Sequence, residues 1–102
     1  MSVLHIVNRS PFESSALASC LRLCLPGSAV LLIEDAVVAA PVGNRFSAQL
    51  ASLPEGIDAY VLVEDLRARG LGDAALEARI LPVDYAGFVD LVAAHNSSLS
   101  WS

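Results

Sequence analysis

The sequence predicts an α/β protein, a three-layer α/β/α sandwich around a mainly parallel sheet of about five strands. Apolar runs rich in Val, Leu and Ile recur four times, at 3–7 (VLHIV), 29–34 (AVLLIE), 59–64 (AYVLVE) and 79–83 (RILPV). Helical material follows each run, the alternation expected of an α/β chain. The runs are nearly continuous, as suits strands covered on both faces, and the crossovers are long enough to join parallel neighbours.

The first run places Val3, His5 and Val7 on one side of a strand. In SPFE, Ser10 is expected at a helix N-cap, Pro11 at the first helical position and Glu13 closing a capping box. That helix should reach LPG at 25–27, where proline and glycine turn the chain into the second strand. PVGN, LPEG and RGLGD mark the later loops, and DYAGFVDLVAAH a last helix. The tail SSLSWS is expected to add a short edge strand. With no repeat, low-complexity segment or internal boundary, residues 1–102 read as a single domain, large enough to bury a core without disulfides or a structural metal.

Hydrophobic residues make up 55% of the chain and charged ones only 17%, against about 25% in typical domains. So little charge suggests a subunit buried in an assembly. The net charge of −5, with six arginines and no lysine, argues against direct nucleic-acid binding. Lysine's absence also excludes Schiff-base chemistry and the P-loop lysine. Glu34, Asp35 and Pro41 break the apolar runs well short of the ~20 residues of a membrane span. Two cysteines and no basic-then-apolar leader point to the cytoplasm. Neither G-x-G-x-x-G nor G-x-x-x-x-G-K is present, so no nucleotide cofactor is expected.

Ligands in open parallel sheets gather beyond the carboxyl ends of the strands, which here carry Asn8, Arg9, Glu34, Asp35, Glu64, Asp65 and Asp84. Asp35, Asp65 and Asp84 each precede a helical stretch, so N-capping is their simplest reading. No H-x-x-x-H, C-x-x-C or clustered Cys/His spacing indicates a metal. His5 reads as a hydrogen-bonded core residue and His95 as a partner of a helix C-terminus. Neither has a nucleophile visible beside it in the sequence.

Cys20 and Cys24 lie in ALASCLRLCL. On a helical wheel Leu17, Cys20, Leu21 and Cys24 form the apolar stripe, opposite Ser14, Ser15, Ser19 and Arg22. Cys24 is expected near its centre, as core, and Cys20 nearer the edge, the more accessible of the two. A disulfide one helical turn apart is poorly oriented. In the last helix, Tyr85, Phe88, Val89 and Val92 form one stripe, with Ala86, Gly87, Ala93 and Ala94 behind it and Asp90 as its sole charge. These five smaller or charged residues are the expected subunit interface.

LHIVNRSPFE resembles the start of DsrH/TusB proteins, and the likeness continues through LLIEDAVVAA, GNR, VEDLRARGL, VDYAGFVDLV and the terminal Trp101. The resemblance implies the third member of a heterohexameric sulfurtransferase complex, beside DsrE/TusD-like and DsrF/TusC-like partners. Such complexes pass persulfide sulfur between cysteines and exchange it with sulfur-carrier proteins. Their principal acceptor cysteine belongs to the DsrE/TusD subunit, which leaves this chain a non-catalytic or auxiliary subunit. Cys20 matches a cysteine of DsrH members from sulfur oxidisers, a possible auxiliary persulfide thiol, whereas some TusB members lack it and Cys24 matches no family motif. Two pathways use this scaffold: 2-thiouridine formation at the tRNA wobble position, the preferred expectation, and cytoplasmic dissimilatory sulfur oxidation. Two readings of other classes stay open beside them, a homo-oligomeric regulatory or binding protein and a small thiol enzyme using Cys20 alone.

Overall fold

Four strands form where the apolar runs fall, and a fifth forms in the serine-rich tail. A computed structural model describes residues 2–102. In chain order it contains β1 (Val3–Val7), α1 (Ala16–Leu23), β2 (Ala29–Leu32), a 3₁₀ turn (Glu34–Ala39), α2 (Arg45–Ala51), β3 (Asp58–Leu62), α3 (Val63–Ala68), β4 (Ile80–Val83), α4 (Tyr85–Ala94) and β5 (Ser97–Trp101). The strands lie in the order β4-β3-β2-β1-β5. Every pairing is parallel. The expected α/β sheet is present, with the serine-rich tail as an edge strand beside β1.

Strand order decides where the helices go. From β1 to β4 the chain steps one way across the sheet, and from β4 to β5 it returns past three strands to the opposite edge. Crossovers of one hand that run in opposite directions must lie on opposite faces. Accordingly α1, the 3₁₀ turn, α2 and α3 bury Leu17, Cys20, Val37, Phe46, Leu50 and Leu66 against Val7, Val30, Leu32 and Val61. On the other face Leu4, Ala29 and Leu31 are buried, with Phe88 and Leu91 of α4 packed on them. Four elements cover one face and a single helix the other, and no residue of α4 is fully buried.

The first helix starts later than SPFE suggested. Ser10, Pro11 and Glu13 form a lone turn instead of a cap: the Glu13 amide donates to the Ser10 carbonyl at 3.1 Å. The Phe12 amide donates to Ser10 Oγ at 3.3 Å. The helix begins only at Ala16. Two competing contacts account for this. The Ser14 hydroxyl takes the Ala16 amide at 3.1 Å, an alternative to continuous helix. Phe12 leans edge-on against Phe46 of α2, with ring centroids 5.0 Å apart. LPG ends the segment as expected, with Gly27 at φ +91° leading into β2.

Asn44 supplies the best-formed cap of the buried face. Its Oδ1 accepts from the amides of Phe46 at 2.9 Å and Ser47 at 3.0 Å, which start α2 and seat Phe46 in the core. Asn44→Ala should lower stability by about 1 kcal/mol, read as an earlier urea midpoint with unchanged m-value.

Candidate functional site

Most carboxylates at the rim beyond the carboxyl ends of the strands are held by contacts within the chain, while among the described residues Asn8 Oδ1 and Glu64 Oε1 are buried without a hydrogen-bond partner. Asp84 caps α4 as expected, accepting the Gly87 amide at 2.8 Å. Asp35 and Asp65 do not act as N-caps. Asp35 lies inside the 3₁₀ turn and takes Nε and Nη2 of Arg69 at 3.0 and 2.8 Å. Asp65, in the first turn of α3, accepts the Glu34 amide at 2.6 Å. Glu34 meets it from a left-handed backbone, φ +50°. Glu64 Oε2 accepts the Tyr85 amide at 3.2 Å. These carboxylates tie successive crossovers together, and His95 stays within α4, donating from Nδ1 to the Leu91 carbonyl at 2.7 Å.

The reactive side chains gather under α1 instead. His5, midway along β1, faces the same side as Val7, and α1 lies over that side. A ring nitrogen of His5 and the sulfurs of Cys20 and Cys24 all lie within 4.8 Å of one another. Trp101 of β5 closes the group from the sheet edge: its Nε1–H donates to His5 Nδ1 at 3.1 Å, and the two rings lie 6.0 Å apart, tilted by 41°. His5 is thus the hydrogen-bonded core residue expected, but it does stand beside nucleophiles. Neither neighbour was legible in the sequence: the cysteines come from a helix and the tryptophan from a strand 96 residues along.

The cysteines exchange the places that the wheel assigned them. Cys20 is fully buried and Cys24 only half-buried. The wheel fails at position 24 because the helix has already ended: Cys24 is the C-cap, with extended backbone at φ −69° and ψ 136°. Cys20, fifth in a helix that starts at Ala16, points straight into the core. The sulfurs stand 3.9 Å apart, within reach of an S–H···S hydrogen bond. That bond pushes the Cys20 thiol far up, and burial and the neighbouring Cys24 charge push it further. The same bond lowers Cys24, against the opposing effect of its own burial. Burial thus favours the proton on Cys20, the sealed sulfur of the pair, whose S–H can donate to Cys24.

Two sulfurs and an imidazole this close are a soft metal's donor set, a grouping that the residue spacing did not disclose. The imidazole as held does not fit. Burial lowers the His5 pKa and keeps the ring neutral. With Nδ1 accepting from Trp101, the single ring proton sits on Nε2. Neither nitrogen offers a free lone pair, so His5 is no base for the thiols. Its folded pKa lies below the free value of 6.5. The stability linked to it is therefore complete above pH 6.5 and is lost as pH falls through the folded value. In that window urea titrations should show a slope of up to about 1.4 kcal/mol per pH unit. His5→Asn, which can still accept from Trp101 but does not titrate, should remove this slope.

On the opposite face, α4 carries the second candidate surface. Phe88 and Leu91 are the side chains that meet the sheet. Tyr85, Val89 and Val92, expected to share the inward stripe with Phe88, are 57%, 66% and 42% exposed. They line, with Phe88 and Ala93, an apolar groove of about 410 Å³. Gly87, expected outside, is half-buried against β4, where a Cβ would come within 3.1 Å of Val83 Cβ. Ala86, Asp90, Ala93 and Ala94 are exposed. The turn from Asp84 sets this rotation, because its cap directs the next inward positions to Phe88 and Leu91. Among the described residues no helix is long and apolar enough to cross a membrane.

A family model described as DsrH like protein matches residues 9–98. Proteins named TusB from Escherichia fergusonii and Shigella flexneri are each 42% identical over 99 residues, covering 97% of this chain and all of theirs. TusB from Escherichia coli O1:K1 is 41% identical over the same span. The crystal structure of the ychN protein from E. coli shares the fold, with a TM-score of 0.75 over 98% of this chain and 99% of that one, at 18% identity. Since the family match spans residues 9–98 and the TusB identities cover 97% of the chain, it belongs to the DsrH/TusB family.

Proposed function

We propose that the chain is a subunit of a cytoplasmic sulfur-relay complex that passes persulfide sulfur between protein cysteines and serves 2-thiouridine formation at the tRNA wobble position. Full-length identity with TusB proteins carries this reading. Its partners are DsrE/TusD-like and DsrF/TusC-like subunits in a heterohexamer, and sulfur-carrier proteins reach it through that complex. The exposed apolar flank of α4 supports a protein partner: Tyr85, Val89 and Val92 sit on a face that one helix cannot cover. Ala86, Asp90, Ala93 and Ala94 border it as the remaining interface residues, while Gly87 contributes by letting α4 approach β4. The chain makes no direct contact with tRNA, because it is acidic and lacks lysine. It requires no cofactor. Principal catalysis belongs to the DsrE/TusD-like partner, and the thiols of this chain are auxiliary to it.

A second reading places the same subunit in dissimilatory sulfur oxidation, favoured by SPFE and by a cysteine at position 20. Co-expression with the neighbouring subunits, native mass measurement and nucleoside analysis of tRNA from a strain lacking the chain separate the two. A heterohexamer and a fall in wobble 2-thiouridine support the relay. A heterohexamer with unchanged 2-thiouridine and lost oxidation of reduced sulfur moves the subunit to the second pathway. A chain that stays monomeric beside those neighbours and affects neither process overturns both.

A further inference from the structure

We infer that Cys24 is the sulfur-accepting thiol of this chain, with Cys20 beneath it as a hydrogen-bond donor that is not itself the acceptor. This rests on the sulfur-relay reading and names the residue that would carry its chemistry here. Three independent features converge on Cys24. It is half-buried where Cys20 is sealed, so of the two residues Cys24 alone reaches the surface. It stands at a C-cap with extended backbone, outside the regular helix. On either side Leu23 and Leu25 are 63% and 69% exposed, an apolar rim fit to seat a protein carrying the incoming sulfur. Below it, Cys20 Sγ lies 3.9 Å away. Cys24 thus has what a sulfur nucleophile needs, access together with a donor that favours the thiolate.

The transfer balances without an oxidant. The Cys24 thiolate attacks the outer sulfur of a persulfide, R–S–SH. An S–S bond forms to Cys24, the donor's S–S bond breaks, R–S⁻ leaves, and the proton stays on the transferred sulfur as Cys24–S–SH. A second thiolate takes that outer sulfur onward and regenerates Cys24–S⁻. The competing loss is attack by a Cys20 thiolate on the inner sulfur, which gives the Cys20–Cys24 disulfide and hydrosulfide. Cys20 held as a thiol does not enter that side reaction, because thiolates and not thiols carry out the exchange.

Arg22 lies between the two cysteines, so trypsin delivers them on separate peptides. The co-expressed complex is incubated either with glutathione persulfide or with a persulfidated DsrE/TusD-like subunit, capped by alkylation and digested. One extra sulfur is expected on the Cys24 peptide at about tenfold or more over the Cys20 peptide, because Cys20 is sealed in the core and exchange needs an accessible thiolate. The protein donor should load it faster than glutathione persulfide if the leucine rim docks a protein, and the reverse order would assign a small-molecule donor to the same thiol. Cys24→Ser should abolish loading. Cys20→Ala should move the pH midpoint of Cys24 alkylation upward, and Cys20→Ser, which keeps a donor, should move it less, with circular dichroism verifying the fold of each. Sulfur found on Cys20, or a midpoint unmoved in Cys20→Ala, overturns the assignment. If neither thiol loads in a complex that assembles and supports tRNA thiolation, the relay reading stands and this inference fails. If Cys24 loads in a chain that never joins its neighbours, the thiol assignment stands and the relay reading fails.

Discussion

Val89→Asp will leave the domain folded and abolish its assembly with partner subunits. Val89 is 66% exposed in the isolated chain, so a carboxylate there stays hydrated and costs the fold little. In an interface along the α4 groove the same carboxylate must shed its water without a cation to receive it, and Asp90 alongside adds a like charge. A penalty of ~3 kcal/mol or more corresponds to more than about a hundredfold in affinity. Native mass measurement of the co-expressed subunits should show the variant alone, with the thermal midpoint of the isolated chain nearly unchanged. Retained assembly would place the interface on another face.

Leu32→Ala acts in the opposite way, on the fold before the assembly. All four residues of β2 are buried at the middle of the sheet, and Leu32 faces the heavily covered side with Val7, Val30 and Val61. Helices and strands hold its surroundings rigidly, so the void collapses little. A loss of about 2–5 kcal/mol is expected, large against the roughly 5–15 kcal/mol that typically holds a domain together. Urea unfolding of the isolated chain measures it.

The strands were legible because their signal is local. VLHIV became β1 without a shift of boundary, and the other runs moved by at most two residues at either end. Parallel pairing followed from crossover length, and the edge position of SSLSW from its brevity and serines. What escaped was set by contacts distant in sequence. SPFE has every local feature of a helix start, yet Phe12 answers to Phe46 and the helix waits for Ala16. Cys24 looked central on a wheel because a wheel assumes that the helix continues, and it ends at Leu23. The rotation of α4 depended on where Asp84 caps it, which moved Tyr85, Val89 and Val92 outward. Of the thiol pocket, the residues His5, Cys20, Cys24 and Trp101 were all singled out by sequence, but their meeting depended on β5 lying beside β1.

That last pairing also orders events during synthesis. β1 is made first, yet its outer edge finds no partner until residues 97–101 exist, since Val3 aligns with Ser97 and Val7 with Trp101. On its other side β2 pairs with β1, β3 with β2 and β4 with β3, so these strands can add one crossover at a time as the chain emerges, each closing a short loop. Joining β1 to β5 closes a loop of nearly the whole chain, the slowest and entropically most demanding contact of the fold. Until it forms, His5 lacks its indole donor, and the thiols lie over an open edge. A nascent chain stalled short of Trp101 therefore lacks the strand that borders the two cysteines, and the pocket of His5, Cys20, Cys24 and Trp101 is completed only when β5 joins β1.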